Sequence, residues 1–441
     1  MTDRASSIPY PPARQANTAL ALLLLAYILS FIDRNIMAML VMPIRESFNI
    51  SDFEFSLLHG FAFTLLYIGL GLPIGRYADS HKRVGIVAAG VMFWSLMTCL
   101  CGFAKNFIGL FFARVGVGVG EAALSPPAYS LLSDYFEPGK LRWATSIYAM
   151  GITLGGGLAY MIGGHVFEYF STATLPEMLQ GFEAWQLTFI AVGLPGVALS
   201  IAIALLKEPA RQQTTLTQQG SDSIPLSEIR AYLGTHWQAF TAIFAAVSLM
   251  SMIGYGHANW FPSFLQRTHN MPLTEAGTQL GLMSIFAGTP GALFGALAAT
   301  WVRKRGYVDA NLRVVGLAAA LLILPAPLAT LVPDASTAIA LLWFTSFVHY
   351  TYFGISLAAL MAISPNRMRA QMSALLLFMA NLFGLALGGS LIAGFTNFVY
   401  RDDMLLNLSL STVAGIVYPA TAVVVFWGLR YYRRALEAVT A

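Results

Sequence analysis

The amino-acid sequence predicts an all-α polytopic membrane protein whose twelve transmembrane helices form two six-helix, pseudo-symmetric halves. Of its 441 residues, 57% are hydrophobic and 10% are charged, whereas a soluble domain has about 25% charged residues. This composition excludes a soluble globular protein. Because one bilayer crossing takes about 20 apolar residues, the hydrophobic content provides for about twelve crossings. The low charge also argues against a nucleic-acid partner.

Twelve apolar runs, bounded by charged or turn residues, follow one another along the chain. They span residues 18–43, 54–75, 84–104, 107–132, 143–170, 184–206, 236–266, 275–301, 312–332, 336–362, 372–399 and 406–429. A polar stretch containing QQTTLTQQGSDS separates six runs from six. The predicted organisation is an N-terminal tail (1–17), a six-helix bundle (18–206), a linker (207–235), a second six-helix bundle (236–430) and a C-terminal tail (431–441).

The basic residues orient these helices, because lysine and arginine concentrate in cytoplasmic loops. If both termini are cytoplasmic, nineteen of the 25 basic residues lie inside and two lie within helices. The four outside are Arg45, Lys105, Arg267 and Arg401. We therefore expect an integral membrane protein with both termini and the linker in the cytoplasm.

The two halves also resemble each other in sequence. A shift of 221 residues pairs Asn49 with Asn270, and a shift of 227 pairs Arg142 with Arg369. Together with similar matches, these pairs indicate a duplicated six-helix unit. Six plus six helices in parallel repeats, joined by a cytoplasmic linker, is the architecture of major facilitator transporters.

The turn after the second helix reads GRYADSHKRVG. It resembles the major facilitator signature at this place, in which a glycine is followed by an acid and then by a basic pair. Gly75 would allow close helix approach, and Asp79, Lys82 and Arg83 would bridge to the opposite half as a cytoplasmic gate. The alternative interpretation is a solvated loop that only carries the positive-inside charge. The sequence departs from the signature by having His81 before the basic pair.

Four strongly charged residues fall inside the predicted helices: Asp33, Arg34, Arg114 and Glu121. Because charges in a bilayer are costly, they are expected to face a cavity or each other. Arg114 and Glu121 are two helical turns apart and share a face. We expect Asp33 and Glu121 to exchange protons, and Arg34 and Arg114 to hold an anionic or zwitterionic head group. The alternative is a fixed ion-pair lattice that packs helix 1 on helix 4.

The second half carries uncharged polar and aromatic residues instead. The candidate substrate-binding residues there are Tyr255, Asn259, His349, Tyr352 and Asn381. A pathway that is charged on one wall and apolar on the other suits an amphipathic, lipid-like substrate. A small dianion would favour basic residues on both walls.

Other functional classes lack their sequence signals. Cys99 and Cys101 are two residues apart in a helix and do not face each other, so neither a disulfide nor a metal site is expected. The chain has no His-Glu-x-x-His and no Gly-x-Ser-x-Gly motif, which argues against a membrane enzyme. A single asymmetric charge cluster does not fit a channel filter. We expect no catalytic residues, no metal and no cofactor.

Four segments resemble the Spinster family of major facilitator transporters, especially its bacterial members. They are FIDRN in helix 1, RVGVGVGEA in helix 4, the following SDYF with Arg142 beyond it, and GGGLAY in helix 5. The resemblance covers essentially the whole chain. It implies proton-coupled alternating access and a lysophospholipid or sphingosine-phosphate-like substrate, with Asp33, Arg34, Arg114 and Glu121 as the coupling and head-group residues. It also implies a bacterial inner (cytoplasmic) membrane.

One alternative within transporters stays open: a major facilitator carrier for a small organic anion, or a multidrug exporter. The expected partners are the substrate, protons and membrane lipids. One chain suffices to form the pathway of this fold, so the expected state is a monomer.

Overall fold

The computed structural model describes residues 9–212 and 226–440. Within these ranges the chain is helical without any strand, and twelve helices are long and apolar enough to cross a membrane. The predicted fold class is confirmed. Part of the predicted linker (213–225), the first eight residues of the N-terminal tail and Ala441 lie outside the described residues.

We number the twelve spans in chain order. They are α1 (Ala13–Met39), α2 (Asp52–Gly71), α3 (Arg83–Cys101), α4 (Phe107–Tyr135), α5 (Pro138–Thr172), α6 (Ala184–Ala204), α7 (Trp237–His269), α8 (Leu273–Lys304), α9 (Ala310–Leu331), α10 (Ala335–Ile363), α11 (Gln371–Tyr400) and α12 (Asp403–Val439). Helical structure in α2 continues as far as Ser80. A short helix, Leu226–Thr235, precedes α7.

The first two spans are interrupted near one end. In α1 the regular helix ends at Asn35, a 3₁₀ segment follows over Ile36–Met39, and a separate helix covers Val41–Phe48. In α2 a π-helical segment occupies Leu57–Phe61 before the regular helix resumes. Such segments weaken the regular hydrogen-bond ladder and often mark functional positions.

The chain divides into two compact units. The first comprises Met1–Leu40 with Ala62–Ser223, and the second comprises Val41–Phe61 with Ile224–Ala441. The bundle predicted over 18–206 is continuous in sequence, whereas the first unit lacks residues 41–61, which follow α1 and include the start of α2. That segment belongs to the second unit because it bonds to α7 and α11.

In the first unit α3 packs against α4 and α6, α2 packs against α4, and α1 packs against α5. Small residues allow the close approach. A Cβ atom on Gly118 of α4 would lie 2.2 Å from the carbonyl oxygen of Phe63 in α2. The glycine string around Gly118 therefore serves helix packing, as is usual in membranes.

In the second unit α7 packs against α11 and α12, and α12 also packs against α9. Trp260 of α7 is fully buried and donates its indole N–H to the carbonyl oxygen of Gly389 in α11 at 2.9 Å. This bond fixes the axial position of α7 relative to α11.

The two repeats share an unusual backbone feature. Asn49 and Asn270 both adopt the left-handed conformation, with φ of 50° and 51°. Each follows the end of a helix, and asparagine is the residue that tolerates this conformation best after glycine. The predicted pairing of these two positions is thus matched by their geometry.

The first prediction concerns the contact at Gly118. Replacing Gly118 by Ala should lower the free energy of unfolding by about 1–3 kcal/mol, because the added methyl group meets the main chain of α2. The matched control is Gly69→Ala, whose Cβ would meet nothing within 4 Å. Thermal unfolding of the purified protein in detergent compares the two variants; equal melting temperatures would contradict the packing role.

Candidate functional site

The four charged residues predicted to meet inside the membrane do lie together in the first unit. Arg34 lies in the last regular turn of α1, and Glu121 ends the first helical segment of α4. Arg34 Nη2 donates to Glu121 Oε2 at 2.6 Å, and their side chains are 6% and 0% exposed. Ser30, one turn earlier in α1, donates its hydroxyl to the same oxygen at 2.7 Å. Glu121 is therefore held by two donors from α1.

Aromatic rings surround the Arg34 guanidinium. Its carbon lies 4.7 Å from the ring centroids of Phe31 and Phe63, and 5.0 Å from that of Tyr67. Rings at this distance attract a cation through their negative faces. The head group of Arg34 thus combines one carboxylate partner with an aromatic wall.

Arg114 and Asp33 are buried beside this pair. Arg114 Nη1 donates to the main-chain oxygen of Asp33 at 3.0 Å, and Arg114 is fully buried. Arg114 therefore fastens α4 to the backbone of α1 and does not present its charge to a ligand in this conformation. The Asp33 side chain is buried, with the side chains of Trp94 and Thr98 beside its carboxyl group.

A second polar cluster lies in the second unit. The Ser251 and Tyr352 hydroxyls are 3.2 Å apart, and the Tyr418 hydroxyl lies 3.2 Å from His349 Nδ1. The rings of His349 and Tyr352 meet edge to face with centroids 5.2 Å apart. These bonds join α7, α10 and α12 around uncharged groups.

Two of the other candidates lie on α7, where it faces α11. A Cβ on Gly384 would lie 2.5 Å from the Tyr255 ring, and a Cβ on Gly389 would lie 2.7 Å from Asn259 Nδ2. A Cβ on Gly254, the residue before Tyr255, would lie 2.5 Å from His349 Nε2, so this turn of α7 lies against His349. Asn259 lies one turn further along α7. Asn381 is half-buried on α11, just before a π-helical segment.

The predicted gate residues fall into two groups. Asp79 and Lys82 are exposed, and Gly75 faces Pro126 at an ordinary contact distance of 3.7 Å for an added Cβ. Arg83, by contrast, is 1% exposed. Its guanidinium donates to the Asp134 carboxylate of α4 and, through Nε, to Glu208 Oε1 at 2.9 Å.

Glu208 also caps α3. Its two carboxylate oxygens accept the main-chain N–H groups of Arg83 at 3.2 Å and Val84 at 2.8 Å. Arg211 donates to the carbonyl oxygens of Ala78 and His81 at 2.8 and 3.0 Å. Glu208 and Arg211, at the start of the linker, therefore bind both ends of the loop between α2 and α3.

Sequence reasoning missed Glu208 and Arg211. The signal for them was the charged Lys-Glu-Pro-Ala-Arg segment that follows α6.

A corresponding cluster in the second unit has the opposite charges. Asp309, buried at the start of α9, pairs with Arg313 at 2.9 Å and with Arg433 of α12 at 3.5 Å. Asp309 lies 226 residues after Arg83, and Arg433 lies 225 residues after Glu208. The basic residue of the first pair is thus matched by an acidic residue in the second, and the acidic residue by a basic one.

Comparison with known proteins assigns the family. The profile of the Major Facilitator Superfamily matches residues 23–428. The chain belongs to this superfamily. A Mycolicibacterium smegmatis protein described as an MFS-type efflux pump is 27% identical over 89% of this chain and 86% of its own length. The relatives are transporters, and this chain is a transporter and not an enzyme.

Spinster proteins are among the relatives, so the resemblance noted in the sequence is confirmed. Human protein spinster homolog 1 is 29% identical over 57% of this chain and 46% of its own length. A sphingosine-1-phosphate transporter of Xenopus tropicalis is 25% identical over 66% of this chain and 56% of its own length. The matches thus span about half the length of these curated Spinster relatives.

A solved structure supports the same assignment over the whole chain. A bacterial homologue of the human lysosomal transporter Spinster, described as inward-facing and unoccupied, superposes with a TM-score of 0.78. It is 26% identical, and the match covers 98% of both chains. Within the described residues, no group of three or more His, Cys, Asp or Glu side chains is placed to hold a metal ion.

The second prediction concerns the linker contact. Glu208→Gln should lower the free energy of unfolding by about 1–3 kcal/mol, because buried Arg83 loses one charged acceptor. Glu228→Gln, at an exposed position of the helix before α7, is the control. Thermal unfolding in detergent measures both variants. A Glu208 variant as stable as its control would show that the contacts of Glu208 with Arg83 do not stabilise the protein.

Proposed function

We propose that this transporter moves an amphipathic, lipid-like anion, such as a lysophospholipid or a sphingosine-phosphate-like molecule, by proton-coupled alternating access. The observation that carries the proposal is the buried Arg34–Glu121 ion pair, with Asp33 beside it, inside two membrane-spanning helices. A buried arginine needs an anionic partner at every stage. A substrate anion and Glu121 therefore compete for the same guanidinium.

This competition links the proton to the substrate. When Glu121 takes up a proton, its hold on Arg34 weakens and the guanidinium can bind an anionic head group. By linkage, binding of the anion favours protonation of Glu121 to the same extent. Ser30 supports either state, because its hydroxyl can donate to the carboxylate or accept from the carboxylic acid. Asp33 is the second proton-exchanging candidate, since its carboxyl group is buried beside the Arg34–Glu121 pair.

The neighbouring residues have distinct parts in this proposal. Arg114 holds the backbone of α1 at Asp33 and so positions Arg34 for the head group. In the second unit, the aromatic cluster of Tyr255, His349 and Tyr352 contacts the apolar part of the substrate, with Asn259 and Asn381 as polar contacts. Uncharged surroundings suit an acyl or sphingoid chain better than a second anionic group. The Xenopus relative, described as a sphingosine-1-phosphate transporter, supports this substrate class.

The gate is proposed on the linker side. Exposed Asp79 and Lys82 are available for a contact that changes during the cycle, and buried Arg83 positions the loop that carries them. Gly75, in the helix before this loop, faces Pro126 of α4. We propose that the protein acts as a monomer in a bacterial inner membrane.

A second substrate class has a specific observation in its favour. The efflux-pump relative matches 89% of this chain, and an Escherichia coli relative described as a probable L-galactonate transporter is 24% identical over 76% of this chain. A drug or small organic anion is therefore the alternative substrate, carried by the same Arg34–Glu121 exchange.

The third prediction tests the substrate and its coupling. Purified protein in liposomes should move a labelled lysophospholipid at a rate that depends on an imposed pH gradient. In Glu121→Gln the gradient dependence should be lost, because the amide cannot bind and release the proton. Exposed Glu168→Gln is the matched control and should behave as the wild type.

Two outcomes would count against the proposal in different ways. Full gradient-driven transport by Glu121→Gln would remove Glu121 from coupling and favour a fixed ion-pair lattice. Folded wild-type protein that moves no lysolipid, but does move a small organic anion or a drug, would replace the lipid by the alternative substrate.

The fourth prediction concerns orientation. Nineteen basic residues on one side against four on the other favour cytoplasmic termini. A green fluorescent protein fused after Ala441 should therefore be fluorescent in bacterial cells, whereas alkaline phosphatase at the same position should be inactive. The reverse pattern would place the linker and the gate on the outer face.

A further inference from the structure

A cavity of about 310 Å³ lies within the second unit, at the ends of three helical elements. Its walls come from the short helix before α7, the loop between α10 and α11, and the last turn of α12. From the start of α7 the chain crosses the membrane four times before this loop and six times before the end of α12. All three walls therefore lie on the linker side, and we call this space the linker-side cavity.

The short helix is attached to the rest of the unit by Tyr232. The Tyr232 hydroxyl donates to the carbonyl oxygen of Ile363, the last residue of α10, at 2.6 Å. Its ring also meets the Phe240 ring of α7 edge to face, with centroids 5.9 Å apart. The His236 ring lies beside it, with centroids 5.0 Å apart. One wall of the cavity is therefore held at both α7 and α10.

The cavity carries a positive charge from Arg369. This residue lines the cavity and is exposed, and its Nε donates to the carbonyl oxygen of Ser364 at 3.2 Å. That bond leaves the two terminal nitrogens of the guanidinium for a ligand. None of the described residues that line the cavity is acidic. A guanidinium presents its nitrogens in a fork that matches the oxygens of a phosphate.

Two further lining residues can donate hydrogen bonds. The His236 ring carries an N–H in either tautomer, and the Asn366 amide carries two. Asn366 is exposed and His236 is half-buried, so both can meet a group that enters from the surface. The cavity thus combines one cation with neutral donors, a set of groups that suits an anion with several oxygen atoms.

The cavity lies at the level of the membrane surface. Trp237, the residue after His236, is 52% exposed, and its ring centroid lies 6.2 Å from that of Trp427 in α12. Tryptophan is enriched where lipid head groups meet the hydrocarbon core. Basic pockets at this level on the cytoplasmic side bind anionic lipid head groups. The exposed charged residues on the same three elements are Arg230, Arg367 and Arg434, with Glu228 and Glu437.

We propose that the linker-side cavity binds the head group of an anionic phospholipid from the leaflet on the linker side. The Arg369 guanidinium binds the phosphate, and His236 and Asn366 donate to the remaining oxygens of the head group. A lipid bound in this way joins the linker helix to the loop between α10 and α11. The site is separate from the residues assigned to the transported substrate, so the inference goes beyond the proposed function.

A lipid titration of the purified protein in detergent tests the site, with the melting temperature as the readout. Phosphatidylglycerol should raise it more than phosphatidylcholine, whose choline group cancels the phosphate charge. In Arg369→Gln the concentration of phosphatidylglycerol for half the rise should increase about tenfold, because one charge-assisted contact is lost. The control is Arg142→Gln, at the exposed equivalent position of the first repeat. Equal titrations of the two variants would overturn the proposal.

A second variant leaves Arg369 in place. Ala438→Glu, at an exposed position of α12 that lines the cavity, adds a carboxylate that pairs with Arg369 and repels a phosphate. It should remove the difference between the two lipids. If the wild type responds equally to both lipids, or if inorganic phosphate alone produces the whole rise, the site is not one for an anionic lipid.

One further variant separates this inference from the proposed function. Glu121→Gln lies in the first unit and should keep the response to phosphatidylglycerol. Loss of the response in this variant would place the lipid at the proposed substrate site and overturn the inference. The titration requires no transport, so a failure to move lysophospholipid would leave its result unaffected.

Discussion

The Arg34–Glu121 ion pair is the contact on which the first unit depends. Two charges placed in apolar helices are tolerated only because they neutralise each other, and their 2.6 Å contact fixes how α1 is rotated relative to α4. The surrounding contacts reinforce this arrangement: Ser30 adds a second donor to Glu121, and Arg114 fastens the backbone one residue before Arg34. A ligand that binds here must replace one of these contacts by another of equal strength, which makes the pair suitable for coupling as well as for packing.

Much of this architecture could be predicted from the sequence, because charge inside an apolar run is visible without any structure. The twelve spans and the meeting of the four charges of α1 and α4 follow from that signal. The choice of partners does not. Arg83 is 51 residues from Asp134 and 125 residues from Glu208, and no periodicity connects such distant positions. Nor does a sequence show that Arg114 donates to a main-chain oxygen, since every residue carries one.

Comparison of the two repeats explains why the sequence did not reveal a second set of contacts, the ion pairs at the start of α3 and α9. Matching identical residues finds Asn49 and Asn270, which share a backbone conformation that few residue types tolerate. It cannot find Arg83–Glu208 and Asp309–Arg433, in which the position is kept and the charges are exchanged. An ion pair is equally satisfied with either sign order, so its two residues can change together while the contact persists. A demanding backbone conformation therefore keeps the same residue type in both repeats. An ion pair requires only that its two residues carry opposite charges.

The helix interruption in α1 lies directly beside the charged site. The 3₁₀ segment begins at Ile36, two residues after Arg34, and the turn between them is closed by Asn35, whose side chain donates to the carbonyl oxygen of Phe31 at 2.7 Å. One turn of helix is about 5.4 Å long, so a change of partner at Arg34 acts within about one turn of the point where α1 loses its regular ladder. A continuous helix would spread such a change along its whole length. The 3₁₀ segment after Arg34 confines the change to the junction with residues 41–61, where the chain passes from the first unit to the second.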